Sequence, residues 1–158
     1  MFPKNMNIQF GLANYANKLS RTAEALTVFD SISVTKRGIP PGTRNAATVL
    51  AQNIRIEDAL ARYSQLMEAK DYSGAIFVVD ERIALSPNER EIKKLREHRT
   101  ELENIRDFLH AEKLLADEHK DEAERILVRL SKEAVGEQVR TQAASRLAGL
   151  SRSKTVAN

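Results

Sequence analysis

Apolar residues recur every three or four positions along most of the chain, and this spacing predicts amphipathic helices. Where the pattern lapses, Gly, Pro, Asn or Asp residues supply turns, most clearly in the segment GIPPG at 38–42. One stretch, 44–69, is ambiguous. We expect two helices there, 44–52 and 56–69, with one continuous helix as the alternative. The other expected helices cover 8–19, 22–35, 72–83, 89–117, 123–130 and 137–150.

The turns between these helices have their own chemical signals. Lys70-Asp71 predicts a tight turn, and Asn88 is placed to cap the helix that begins at 89. With helices joined this closely, neighbours fold back as antiparallel hairpins. We therefore expect one helical domain over 8–150, an N-terminal arm at 1–7 and a disordered tail at 151–158.

A small Ala recurs after a polar turn, with apolar residues following it, which is a pattern of repeated hairpins. Ala lets two helices of a hairpin approach closely, and larger residues one turn on fill the groove between them. The first two of these Ala residues are 34 positions apart. The residues that mark the pattern are Ala25, Ala59, Ala75 and Ala123.

The segment AKDYSGAIFVVDERIALSPNE resembles the turn, second helix and closing Pro of a tetratricopeptide repeat, with Ala75 as its small packing residue and Pro87 as its Pro. Residues 15–43 are similar to the related pentatricopeptide motif. The resemblance implies an all-α fold of antiparallel helical hairpins in a short right-handed repeat array, with an irregular helical bundle as the alternative. Arg62 and the long helix at 89–117 depart from the standard repeat.

Composition excludes several classes of protein. The 158 residues include no Cys and no Trp, which excludes a disulfide scaffold and thiolate chemistry. No apolar run reaches the roughly 18 residues of a membrane-spanning helix. We therefore expect no membrane association and a cytoplasmic protein, with an organellar location as the alternative.

The net charge of +3 is divided along the chain. Residues 1–55 carry +5, residues 56–133 carry −5 and residues 134–158 carry +3. A dedicated nucleic-acid binder concentrates its basic residues on one face without a matching acidic block. The division therefore favours a protein partner over RNA.

We find no catalytic or metal-binding motif. The three His residues lack the HExxH spacing that places two imidazoles on one helix face. No phosphate-binding or nucleophile motif occurs, so we expect no enzyme activity, no cofactor and no metal. The aromatic residues at 29, 63, 72 and 77 are expected to pack in the core.

The sequence thus predicts a non-catalytic adaptor or scaffold that binds a protein or peptide, with an RNA-binding or ribonucleoprotein-associated subunit as the alternative. In the tetratricopeptide register, first-helix residues would line a groove. Arg55, Arg62 and Gln65 are the candidates for anchoring an acidic or C-terminal carboxylate group. A partial heptad within 89–117 favours an oligomer formed through that helix.

Overall fold

The computed structural model describes residues 3–18, 21–35 and 38–156, and within these ranges every regular element is an α-helix. The all-α prediction is therefore confirmed for the described part of the chain. Connections between successive helices are short. The helices are α1 (Pro3–Lys18), α2 (Thr22–Val34), α3 (Pro41–Glu68), α4 (Tyr72–Leu85), α5 (Glu89–Ala116), α6 (Lys120–Glu133) and α7 (Glu137–Val156).

Two side-chain caps fix the starts of α4 and α5. The Asp71 carboxylate accepts a hydrogen bond from the Gly74 amide at 2.9 Å, directly after Lys70, which has a φ of 56°. The Asn88 side chain accepts from the Arg90 amide at 2.9 Å. Such caps satisfy amides that the first helical turn leaves without partners. Both helices begin where these turn residues predict.

Helix α3 is continuous over its 28 residues, so the expectation of separate helices at 44–52 and 56–69 is wrong. The junction at 53–55 holds neither Pro nor Gly. Ile54 is only 3% exposed, and an unbroken helix keeps it on the buried face. The helix starts with Pro41, whose missing amide needs no partner at a first helical position.

Helices α1 and α7 extend into the end segments that were expected to lie outside the domain. Helix α1 starts at Pro3, within the predicted arm at 1–7, because Pro suits the first turn of a helix. Helix α7 continues to Val156, within the predicted disordered tail at 151–158. No Pro or Gly follows Gly149 to stop it. The outermost two residues at each end lie outside the described part of the chain.

The chain divides into two compact units, Met1–Ala61 and Arg62–Asn158. The expectation of one helical domain over 8–150 stays a prediction. Among the described residues, one cluster of buried apolar side chains lies in the first unit and two lie in the second. Helical periodicity identifies an apolar face but not the element that covers it. The apolar periodicity of α3 therefore gives no signal of the division between Ala61 and Arg62.

The core of the first unit forms where α1, α2 and α3 meet. Phe29 of α2 is fully buried, and its ring meets the ring of Phe10 edge-on with 5.4 Å between centroids. This geometry suits the charge distribution of aromatic rings. Small residues elsewhere in the core allow close helix approach. The buried members are Ala13, Ala25, Phe29, Ile32, Ile39, Ala47, Ala51 and Ile54.

The second unit has two cores that share α5. One joins the C-terminal part of α3 to α4 and α5, with Ala75, Ile76, Val79 and Leu102 buried. The other joins α5, α6 and α7. Its buried members are Ala111, Leu114, Ala123, Leu127, Leu130, Ala134, Val139 and Ala143.

The Ala residues that mark the sequence pattern are all packing residues. Ala25, Ala59, Ala75 and Ala123 are each fully buried. In the second unit α4 packs on α5, α5 on α6 and α6 on α7, and α5 also contacts α7. The arrangement of these hairpins as a right-handed repeat array stays a prediction.

Candidate functional site

The three residues predicted to anchor a carboxylate are divided between the two units. Arg55 belongs to the first unit, where its guanidinium lies 2.6 Å from a carboxylate oxygen of Asp30. Arg62 and Gln65 belong to the second unit. The Arg62 guanidinium lies 2.7 Å from a carboxylate oxygen of Glu81, and the Gln65 side chain is exposed.

These ion pairs affect how Arg55 and Arg62 could bind a carboxylate of a partner. A carboxylate arriving from a partner would compete with Asp30 at Arg55, and with Glu81 at Arg62. A guanidinium can donate several hydrogen bonds, so it can keep its internal partner and still bind a second oxygen. The role of Arg55, Arg62 and Gln65 as anchors stays a prediction.

A prominent surface feature of the second unit is Phe77 on α4. Its side chain is 62% exposed, although its neighbours Ile76 and Val78 are buried. The expectation that Phe77 packs in the core is therefore wrong. All four residues one turn away from it, at 73, 74, 80 and 81, are polar or Gly. This local pattern is the signal that sequence reasoning missed.

Two ion pairs lie one helical turn from Phe77. One turn along the same face of α4, Glu81 binds Arg62 of α3, and Asp80 lies 2.7 Å from Arg99 of α5. The arginines thus reach α4 from the helices before and after it in the chain. We call Phe77, Asp80, Glu81, Arg62 and Arg99 the α4 surface.

Arg99 is held more firmly than a single surface ion pair would hold it. Besides Asp80, it binds Glu103 one turn further along α5, at 2.7 Å. The hydrogen bond to Asp80, together with the nearby charge of Glu103, raises the pKa of the Arg99 guanidinium above its ordinary value. Two carboxylates therefore hold this guanidinium between α4 and α5.

Tyr63 of α3 is linked to α5 through His98. The Tyr63 hydroxyl lies 2.6 Å from Nε2 of His98, and Nδ1 of His98 lies 3.3 Å from a carboxylate oxygen of Glu101. Burial, and next the charge of Glu101, raises the pKa of the Tyr63 phenol. A phenol that keeps its proton is a poor nucleophile, so this arrangement is suited to joining two helices rather than to covalent chemistry.

Asn104 on α5 is a buried polar residue that the apolar periodicity of the sequence does not single out. It is 5% exposed, and its side-chain Nδ2 has no hydrogen-bond partner among the described residues. A buried amide without a partner is destabilising. Since α5 packs on three other helices, the burial of Asn104 follows from tertiary packing that periodicity alone does not reveal.

The described residues contain no group of three His, Asp or Glu side chains placed to hold a metal ion. A surface depression at the α5–α6 turn is formed by the consecutive exposed residues Glu118–Glu122, so it does not enclose a small molecule. In the part of the chain that the structure describes, no helix is long and apolar enough to cross a membrane.

The described geometry defines an all-helical protein with an exposed, charge-flanked aromatic residue. The chain matches no protein-family model, no curated protein and no solved structure. The tetratricopeptide resemblance therefore rests on the sequence motifs alone.

Proposed function

We propose that the protein is a non-catalytic helical adaptor that binds another protein through the α4 surface. The observation that carries this proposal is the exposure of Phe77 one helical turn before two carboxylates that pair with arginines. Aromatic and Arg residues are enriched among the residues that dominate binding energy in protein interfaces. A tetratricopeptide-like scaffold function is part of the same proposal.

The α4 surface suggests the chemistry of the partner. The exposed ring of Phe77 favours an apolar side chain, because covering it removes apolar area from water. Arg62 and Arg99 are balanced by Glu81 and Asp80, so the surface has little net charge of its own. Polar groups of the partner can hydrogen-bond to these pairs at the rim of the contact.

The same charge balance weighs against RNA as the partner of this surface. A phosphate backbone binds through basic side chains and releases counterions as it does so. At the α4 surface each arginine already lies against a carboxylate, which repels phosphate. We therefore place a protein partner ahead of RNA.

The proposal can be tested by affinity capture from lysate with and without nuclease treatment. Three forms of the chain are compared: wild type, Phe77→Ser and the control Val135→Ser. Val135 is also an exposed apolar residue of the second unit, at 49%, and it lies between α6 and α7. Circular dichroism and thermal unfolding first confirm that all three are folded.

Loss of a central interface aromatic weakens binding by at least about tenfold. We expect a defined set of proteins that wild type and Val135→Ser retain and Phe77→Ser loses. Purified members of that set should then bind the wild-type chain directly by calorimetry. Equal retention by all three forms, or capture that disappears after nuclease treatment, contradicts the proposal.

A further inference from the structure

The contact between Tyr63 and His98 joins α3 directly to α5, although α4 lies between these two helices in the chain. The Tyr63 hydroxyl lies 2.6 Å from Nε2 of His98, and the centroids of the two rings lie 5.7 Å apart. Both residues are half-buried. A hydrogen bond and a ring contact thus hold α3 and α5 at a defined separation.

The direction of this hydrogen bond follows from the position of Glu101. Nδ1 of His98 lies 3.3 Å from a carboxylate oxygen of Glu101, which can only accept. A neutral imidazole in this position carries its proton on Nδ1 and offers Nε2 as an acceptor for the Tyr63 hydroxyl. Because the pKa of the Tyr63 phenol is raised, the hydroxyl keeps the proton that it donates.

Three polar contacts, of which this is one, close a triangle among α3, α4 and α5. Each helix contributes two consecutive residues, and each of the two binds a different neighbouring helix. Loss of any one contact therefore leaves two helices joined only through the third. We call the three pairs the polar ring: Arg62–Glu81, Asp80–Arg99 and His98–Tyr63.

The two ion pairs of the polar ring are too exposed to hold the three helices by themselves. The side chains of Arg62 and Glu81 are 43% and 36% exposed, and those of Arg99 and Asp80 are 35% and 47% exposed. Exposed ion pairs stabilise weakly, because water screens them and long side chains lose freedom when they are held. The persistence of both pairs therefore depends on how firmly the helix backbones are positioned.

We propose that Tyr63 and His98 are positioning residues for the α4 surface. Their contact holds α3 and α5 at the separation at which Arg62 and Arg99 both reach α4, so the surface is ordered before a partner arrives. Such preorganisation lowers the entropic cost of binding. The role in partner binding rests on the proposed function, whereas the coupling of the Tyr63–His98 contact to the arginines can be measured without a partner.

Nuclear magnetic resonance of the arginine side chains measures this coupling in the isolated protein. Nε of Arg99 donates to Asp80 at 2.7 Å, so its proton is protected from exchange with water while the pair persists. We expect Tyr63→Phe and His98→Leu each to speed this exchange about two- to tenfold, since the loss of one hydrogen bond shifts an equilibrium by about that factor. The signal is assigned by its absence in Arg99→Lys.

Two further variants separate positioning from a general loss of stability. The carboxamide oxygen of His98→Gln can accept from the Tyr63 hydroxyl, so the exchange rate at Arg99 should return towards the wild-type value. Tyr72→Phe is the matched control and should leave the rate unchanged. Tyr72 packs against the same core, and none of the described residues hydrogen-bonds to its hydroxyl. Circular dichroism first confirms that each variant is folded, and Tyr63→Phe decides the test if His98→Leu is not.

Affinity capture then tests the role in binding. Proteins that the wild type retains and Phe77→Ser loses should be retained about two- to tenfold less by Tyr63→Phe, and equally by Tyr72→Phe. An unchanged exchange rate at Arg99 in Tyr63→Phe overturns the inference, and so does full retention of these proteins by Tyr63→Phe. If no captured protein depends on Phe77, the proposed function fails, and the exchange rates still decide whether the Tyr63–His98 contact positions Arg99.

Discussion

Helices α3 and α5 are equal in length, at 28 residues each, but they are built differently at their ends. Helix α5 begins with the Asn88 cap, has Glu89 and Glu91 in its first turn and Lys113 in its last. These charges complement the helix dipole. Helix α3 has no acidic residue in its first turn and no basic residue in its last. The comparison indicates that α5 has strong local signals, whereas α3 depends on packing.

The two helices also differ in how their apolar residues are used. The apolar side of α5 contributes to both cores of the second unit, and Leu102 is almost completely buried. Helix α3 buries small residues and Ile54 but leaves Val49 and Leu60 exposed. The two helices therefore have equal length and similar periodicity but differ in burial. Leu102 of α5 is covered by packing, whereas Val49 and Leu60 of α3 are exposed.

Truncating an apolar residue on each helix is expected to give the largest difference between them. Leu102→Ala on α5 removes buried volume and should lower the free energy of unfolding by about 2–5 kcal/mol. Val49→Ala on α3 removes an exposed side chain, and its effect should stay within about 0.5 kcal/mol. Urea denaturation of dilute protein measures both values. Similar losses for the two variants would mean that Val49 is covered in the folded protein.

Asn104 gives a second test of how α5 is used. Replacing a buried amide that lacks a partner with an apolar side chain of similar size removes a desolvation penalty. We expect Asn104→Leu to raise the free energy of unfolding by about 1–2 kcal/mol. Asn45→Leu, at an exposed position of α3, is the matched control and should change stability little. Destabilisation by Asn104→Leu would show that the amide has an important partner.

The helix starts can be compared in the same way. Asn88→Ala removes the cap of α5 and should lower stability by about 1 kcal/mol. Helix α3 begins after Pro40, whose backbone carbonyl accepts the first hydrogen bonds and whose side chain has no acceptor. Thr43→Ala, within the first turn of α3, should therefore have a smaller effect. Thermal unfolding distinguishes the two, and equal effects would remove this contrast between the helices.

Features that depend on residues close together in the sequence were predictable, and features that depend on contacts between helices were not. The caps at Asp71 and Asn88 and the small packing residue Ala75 follow from local rules, and all were predictable. The exposure of Phe77 and the pairing of Arg62 with Glu81 depend on which helix covers α4. Periodicity does not contain that information. The candidate site was therefore predictable only at Arg62, and without its partner.

A smaller, pH-dependent effect is expected where α3 and α5 are joined. The pKa of Tyr63 in the folded protein is raised above 10.0. The neutral phenol therefore contributes stability that is fully present below pH 10 and is lost as pH rises through the raised pKa. Relative to Tyr63→Phe, the wild type should lose stability between neutral pH and about pH 11. Urea denaturation of both proteins at each pH measures this difference, and a constant difference would contradict it.

The central claim is that the α4 surface is where a protein partner binds. The most direct measurement places a photoreactive benzoylphenylalanine at position 77, where it replaces an aromatic residue, and in a second protein at position 135 as the exposed control. After irradiation in nuclease-treated lysate, mass spectrometry identifies the cross-linked peptides. We predict a discrete protein attached at position 77 and not at position 135. Identical cross-linked proteins at both positions, or none at position 77, would contradict the claim.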